Sequence, residues 1–143
     1  MLIGKCDGLV DAYHVGAHDL HSLLEMRREL AVWGYRLSAH TKQVHGEAGL
    51  SYLQRKYTIA RAITDARNLD ATQKPPAMNV LEVQAQQLPA VVEAQKSEVI
   101  AEAEKDALKN KLLFIQQVLA SMQQELSVLS QEARSTHYQN QGA

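Results

Sequence analysis

The 143-residue sequence has one cysteine, one tryptophan, one phenylalanine and three prolines. A lone Cys6 excludes an intrachain disulfide framework and a cysteine-based zinc finger, and it suits a reducing compartment. No apolar run approaches the ~20 residues that a membrane span needs. The N-terminal stretch has too short an apolar segment and too many acids for a signal peptide. The expectation is a soluble cytoplasmic protein with no membrane contact. Phosphate-binding and dinucleotide-binding glycine loops are missing, and so is a nucleophile elbow. The carboxylates are spread along the chain without a pattern that would converge them as an acid/base pair. These absences argue against an enzyme and name no cofactor.

Alanine, glutamine and leucine are abundant, above all in the second half of the chain, and that composition favours long helices over a sheet. The expected fold is all-α, with two long helical regions joined by a Pro-Pro linker. Residues 1–17 carry Gly4, Gly8 and Gly16 without a sustained period, and they read as an N-terminal arm with at most a short helical turn. Residues 18–70 form the first helical region. Asp19 is placed to cap it, and Leu20, Leu23, Leu24, Leu30, Trp33 and Leu37 recur at helical spacing. Gly46 and Gly49 suggest a break, after which Leu50, Leu53, Tyr57, Ala60 and Thr64 resume an apolar stripe. Lys74-Pro75-Pro76 marks the firmest boundary, because each proline disfavours helix at the residue before it. The linker spans Asp70 to Pro76, and the second helical region runs over 77–134. Pro89 either kinks that region or starts a new helix. Residues 135–143 form a polar, frayed tail.

Charge is unevenly distributed. From Leu24 to Arg67 there are eight basic residues and four acids, a net +4 in a chain whose total is −1. Trp33, Tyr35, Tyr52 and Tyr57 lie among them. Cations interleaved with aromatic rings suit the backbone and stacked bases of a single nucleic-acid strand, read without sequence preference. The opposing reading is a solvated helical face whose cations pair with acids on another helix. The acids are available for that, since Glu93, Glu98, Glu102, Glu104 and Asp106 stand against only Lys96 and Lys105. The candidate strand-binding residues are Arg55, Lys56, Arg61 and Arg67, with Tyr52 and Tyr57 as stacking rings.

Leu108, Leu112, Ile115, Leu119, Met122, Leu126 and Leu129 are separated alternately by four and three residues, an unbroken heptad seam. Leu113, Phe114 and Val118 broaden it beyond a two-stranded coiled coil, which suits a bundle or a homo-oligomer. The same seam can also pack on the chain's own first helical region as an antiparallel hairpin, and both arrangements can hold at once. His14, His18 and His21 would share a face of a regular helix at spacing that can bind zinc. Nothing else completes a metal pattern, so no metal site is assigned.

Arg36-Leu37-Ser38-Ala39-His40, then Tyr52-x-x-Arg55-Lys56, then Ile59-Ala60-Arg61 resembles the central helical region of the UvsY-type phage recombination mediators. That family shares a Leu-x-x-His element and, further on, a Lys-Ala-Arg type motif. The leucine-rich stretch from Val99 to Arg134 is similar to the family's C-terminal helix in position and character. The resemblance covers Leu30 to Arg67 and that helix. It implies a small, all-helical, ring-forming protein that binds single-stranded DNA, contacts a recombinase and a single-strand-binding protein, and helps load the recombinase. Arg61 matches the motif arginine. Ile59 stands where the motif has lysine, a departure that Lys56 or Arg55 would have to make good. Two other function classes remain open beside it. One is a structural or adaptor protein of a phage assembly, and the other is a small inhibitor of a nucleic-acid enzyme.

Overall fold

The computed structural model describes residues 1–68 and 74–142. Among these the chain is all-α. The helices are α1 (Leu2–Val15), α2 (Leu20–Asn68), α3 (Met78–Gln86) and α4 (Pro89–Gln141). They form two compact units, one of Met1–Thr41 with Leu108–Ala143 and the other of Lys42–Ala107.

The first unit is built on two seven-residue spacings. Leu23, Leu30 and Leu37 of α2 are fully buried, as are Ile115 and Met122 of α4, with Leu108 nearly so. Positions seven apart stay on one side of a helix, so each helix turns a single apolar stripe inward. A Cβ built at Gly34 would lie 3.3 Å from Ile115 Cγ2, so glycine lets α2 approach α4 closely here. The α4 seam is thereby closed within one chain. Leu108, Ile115, Met122 and Leu126 are buried, while Leu112, Leu119 and Leu129 are half-buried.

The N-terminal arm expected over residues 1–17 is instead the helix α1. Cys6 and Val10 are buried, and Leu2, Leu9 and Tyr13 are half-buried beside them, giving the segment one apolar side despite its glycines. Asp7 pairs with Lys111, and the Tyr13 hydroxyl donates to Glu125 at 3.1 Å, fixing α1 on α4. Gly16 is extended and ends α1. Asp19 then caps α2, its Oδ1 accepting the Ser22 N–H at 2.7 Å.

In the second unit, Val44 and Ala48 of α2, Leu81 and Ala85 of α3, and Val91 of α4 make the core. The expected break at Gly46–Gly49 does not occur, and α2 runs through both glycines. Glycine lowers helix propensity but does not by itself end a helix. Pro75 and Pro76 are non-helical, as the boundary at Lys74 requires, while Asp70 and the rest of 69–73 lie outside the described residues. Pro89 starts a helix, the role its fixed φ and missing N–H favour. The expected frayed tail is helical to Gln141, although every described residue from Gln131 onward is exposed.

Leu30→Ala should lower stability by about 2–5 kcal/mol by opening a cavity in the first unit. Gly46→Ala, whose new Cβ would meet nothing within 4 Å, should raise it by roughly 1 kcal/mol. Urea midpoints for the two variants check both signs.

Candidate nucleic-acid interface

Arg55 points inward. It pairs with Glu98 of α4, and Nη2 donates a second, longer hydrogen bond at 3.5 Å to the other carboxylate oxygen. Both side chains are mostly covered, which strengthens the attraction relative to an exposed pair. Arg55 is therefore committed to α4, as in the reading that pairs basic helix with acidic helix, and it leaves the expected strand-binding set.

Tyr52 lies on the flank beside it. The Lys56 ammonium sits 4.8 Å from the Tyr52 ring centroid and the Arg55 guanidinium 5.5 Å from it. These cation–π contacts already cover part of the ring that a base would stack on. Lys56 and Arg67 are exposed and, eleven residues apart, lie on one stripe. Arg61 is exposed on a different stripe, one turn beyond Tyr57, with only a loose 3.9 Å approach to Asp65. The six candidates thus divide among an inward residue, a flank and an outward face.

That outward face holds what the sequence reading missed. Leu50, Leu53 and Tyr57 are 67%, 59% and 63% exposed. The Leu50–Leu53–Tyr57 stripe faces solvent, and the inward positions of this stretch are Val44, Ala48, Ser51 and Arg55. From Ala48 to Arg55 the inward residues are small or polar, and the large apolar ones lie outside. With Ala94 and Ser97 of α4, the exposed residues border an open groove of about 560 Å³. The available signal was the spacing itself: Leu50, Leu53 and Tyr57 are out of phase with Leu23, Leu30, Leu37 and Val44.

The histidines do not converge. α1 ends at Val15 and α2 starts at Leu20, so no regular helix carries all three. The His18 Nε2–H donates to the Tyr13 carbonyl at 3.0 Å. Among the described residues no three metal-ligating side chains cluster. Burial pushes the Cys6 thiol above its ordinary range, with Asp7 adding to the shift and Lys111 opposing it. This is the environment of an inert packing thiol and not of a nucleophile.

No family model matches the chain, and no curated protein or solved structure matches it.

Arg55→Ala and Glu98→Ala should each destabilise by about 1–3 kcal/mol, since each leaves a partly buried charge without its partner. The double variant should cost less than the sum of the two. Additive losses in urea titrations would show that the pair is not coupled.

Proposed function

We propose that the chain is a non-catalytic, single-stranded DNA-binding protein that acts as a recombination mediator, helping a recombinase displace a single-strand-binding protein. The observation that carries this reading is the outward face of α2, where the exposed Tyr57 ring is followed one turn on by Arg61. A flat ring offers a base a stacking surface, and a cation one turn away reaches the adjoining phosphate. Lys56 and Arg67 supply further charge on the neighbouring stripe. The acid-rich start of α4 repels a strand and confines it to α2. The resemblance to the UvsY-type mediators gives the reading its recombinase and single-strand-binding protein partners, and a cytoplasmic setting. Ile59 in place of the motif lysine, together with the loss of Arg55 to Glu98, predicts weak binding per chain, which a homo-oligomer would multiply.

A second reading is favoured by Leu50 and Leu53. Exposed leucines beside a groove suit a protein surface as well as a nucleic acid. On that reading the chain is an adaptor in a phage assembly, and Tyr57 is a protein contact.

The test is fluorescence anisotropy with a labelled single-stranded oligonucleotide across a salt series. Wild type should bind, with affinity falling as salt rises. Lys56→Ala/Arg61→Ala/Arg67→Ala should lose at least tenfold affinity at low salt and flatten the log–log salt slope by about 2, at ~0.7 per phosphate contact. Circular dichroism of the variant should match wild type. No binding by wild type at low salt would overturn the mediator reading in favour of the adaptor.

A further inference from the structure

The most buried positions of the α4 seam, Leu108, Ile115 and Met122, pack within the chain. Two other faces do not. In the first unit, the outward side of α2 exposes Leu24, Val32 and Tyr35, the last to 78%. With Arg27, Arg28 and Arg36 they border an open groove of about 730 Å³. Glu25 shares this border, so the face is basic on balance but not uniformly so. No described acid lies within ion-pair reach of Arg28 or Arg36. The Arg27 Nε is shielded from water yet has no hydrogen-bond partner, an unmet donor at the groove edge.

In the second unit, the outward side of α4 exposes Val99 and Ile100, to 68% and 67%. Ala103 and Ala107 continue this apolar stripe at three- and four-residue steps. Helical geometry places Asp106 along one edge of the stripe and Glu104 along the other. Both acids are exposed and neither belongs to a described ion pair. Lys96 lies on the same side of the helix but is paired with Glu93 at 3.1 Å.

We infer that these two faces are the halves of one self-association interface, the α2 groove of one copy receiving the α4 stripe of the next. The occupant is another copy of this chain because the chain itself carries the complementary half. An apolar face carrying Arg28 and flanked by Arg27 and Arg36 meets an apolar stripe flanked by Glu104 and Asp106, with Lys96 held on Glu93, and opposite charge beside apolar contact is the pattern by which neighbouring helices choose a partner and a register. Every copy offers both halves, so a reciprocal pair or a longer assembly leaves no half uncovered. Neither half includes Lys56, Tyr57, Arg61 or Arg67, so the inference stands apart from strand binding.

Charge reversal tests it, with mass measured by sedimentation velocity at low salt and without DNA. Wild type should form concentration-dependent species larger than a monomer. Arg28→Glu/Arg36→Glu should be monomeric, and so should Glu104→Lys/Asp106→Lys, each with wild-type circular dichroism. An equimolar mixture of the two variants restores opposite charge at every junction and should recover species larger than a monomer. Val32→Asp and Ile100→Asp, which place a charge on an exposed apolar strip without touching either core, should also be monomeric. Monomeric wild type, reversal variants that still assemble, or a mixture that stays monomeric would each overturn the inference.

Discussion

The structure depends on closing the α4 seam inside the chain. Leu108, Ile115 and Met122 recur every seven residues, as do Leu23, Leu30 and Leu37, and each series is the cover that the other needs. A helix with one apolar stripe is stable only where that stripe is shielded from water, because most helical stability in proteins comes from packing and not from propensity. Gly34 permits the close approach at Ile115. The helix α1 completes the cover, held on by the Asp7–Lys111 pair and the Tyr13–Glu125 hydrogen bond. What remains for partners is whatever these stripes leave outside.

Outside, α2 is unusual. Between Ala48 and Tyr57 it turns alanine, serine and arginine inward and leucine and tyrosine outward, while Val44 before this stretch is buried and Ile59 and Ile63 after it are half-buried. Exposed leucines and tyrosines cost solubility and add little to stability, so a surface that keeps them in phase over several turns is suited to binding. The basic charge divides along the same line. Arg55, on the inner side, neutralises an acid of α4. Arg61, Lys56 and Arg67, on the outer and lateral stripes, face solvent. The two readings of the basic segment, internal pairing and a binding surface, therefore describe different residues of one helix.

The helical class, the cap at Asp19 and the non-helical Pro75–Pro76 were legible in the sequence, because periodicity and backbone-restricting residues act locally. The helix α1 was not, since Gly4, Gly8 and Gly16 hide its apolar side in a composition typical of an arm. Its order comes from packing on α4, which local propensity does not encode. The direction of the Leu50–Leu53–Tyr57 stripe was not legible either. Spacing shows that residues share a face, but which of two apolar faces turns inward depends on what packs there. Here Val44 and Ala48 continue the phase set by Leu23, and that phase leaves Leu50 outside. The fate of Arg55 depended on Glu98, a partner 43 residues away.

The central claim is that α2 and α4 of the same chain close the seam. Gly34→Cys with Ile115→Cys, in a Cys6→Ser background, would place two thiols where the Gly34 backbone meets the Ile115 side chain, a Cβ at Gly34 lying 3.3 Å from Ile115 Cγ2. Isotopically heavy and light chains would be refolded together and oxidised, and the cross-linked peptides weighed by mass spectrometry. The account predicts disulfides that join heavy to heavy and light to light only. Peptides of mixed label, or thiols that stay free after oxidation, would contradict it.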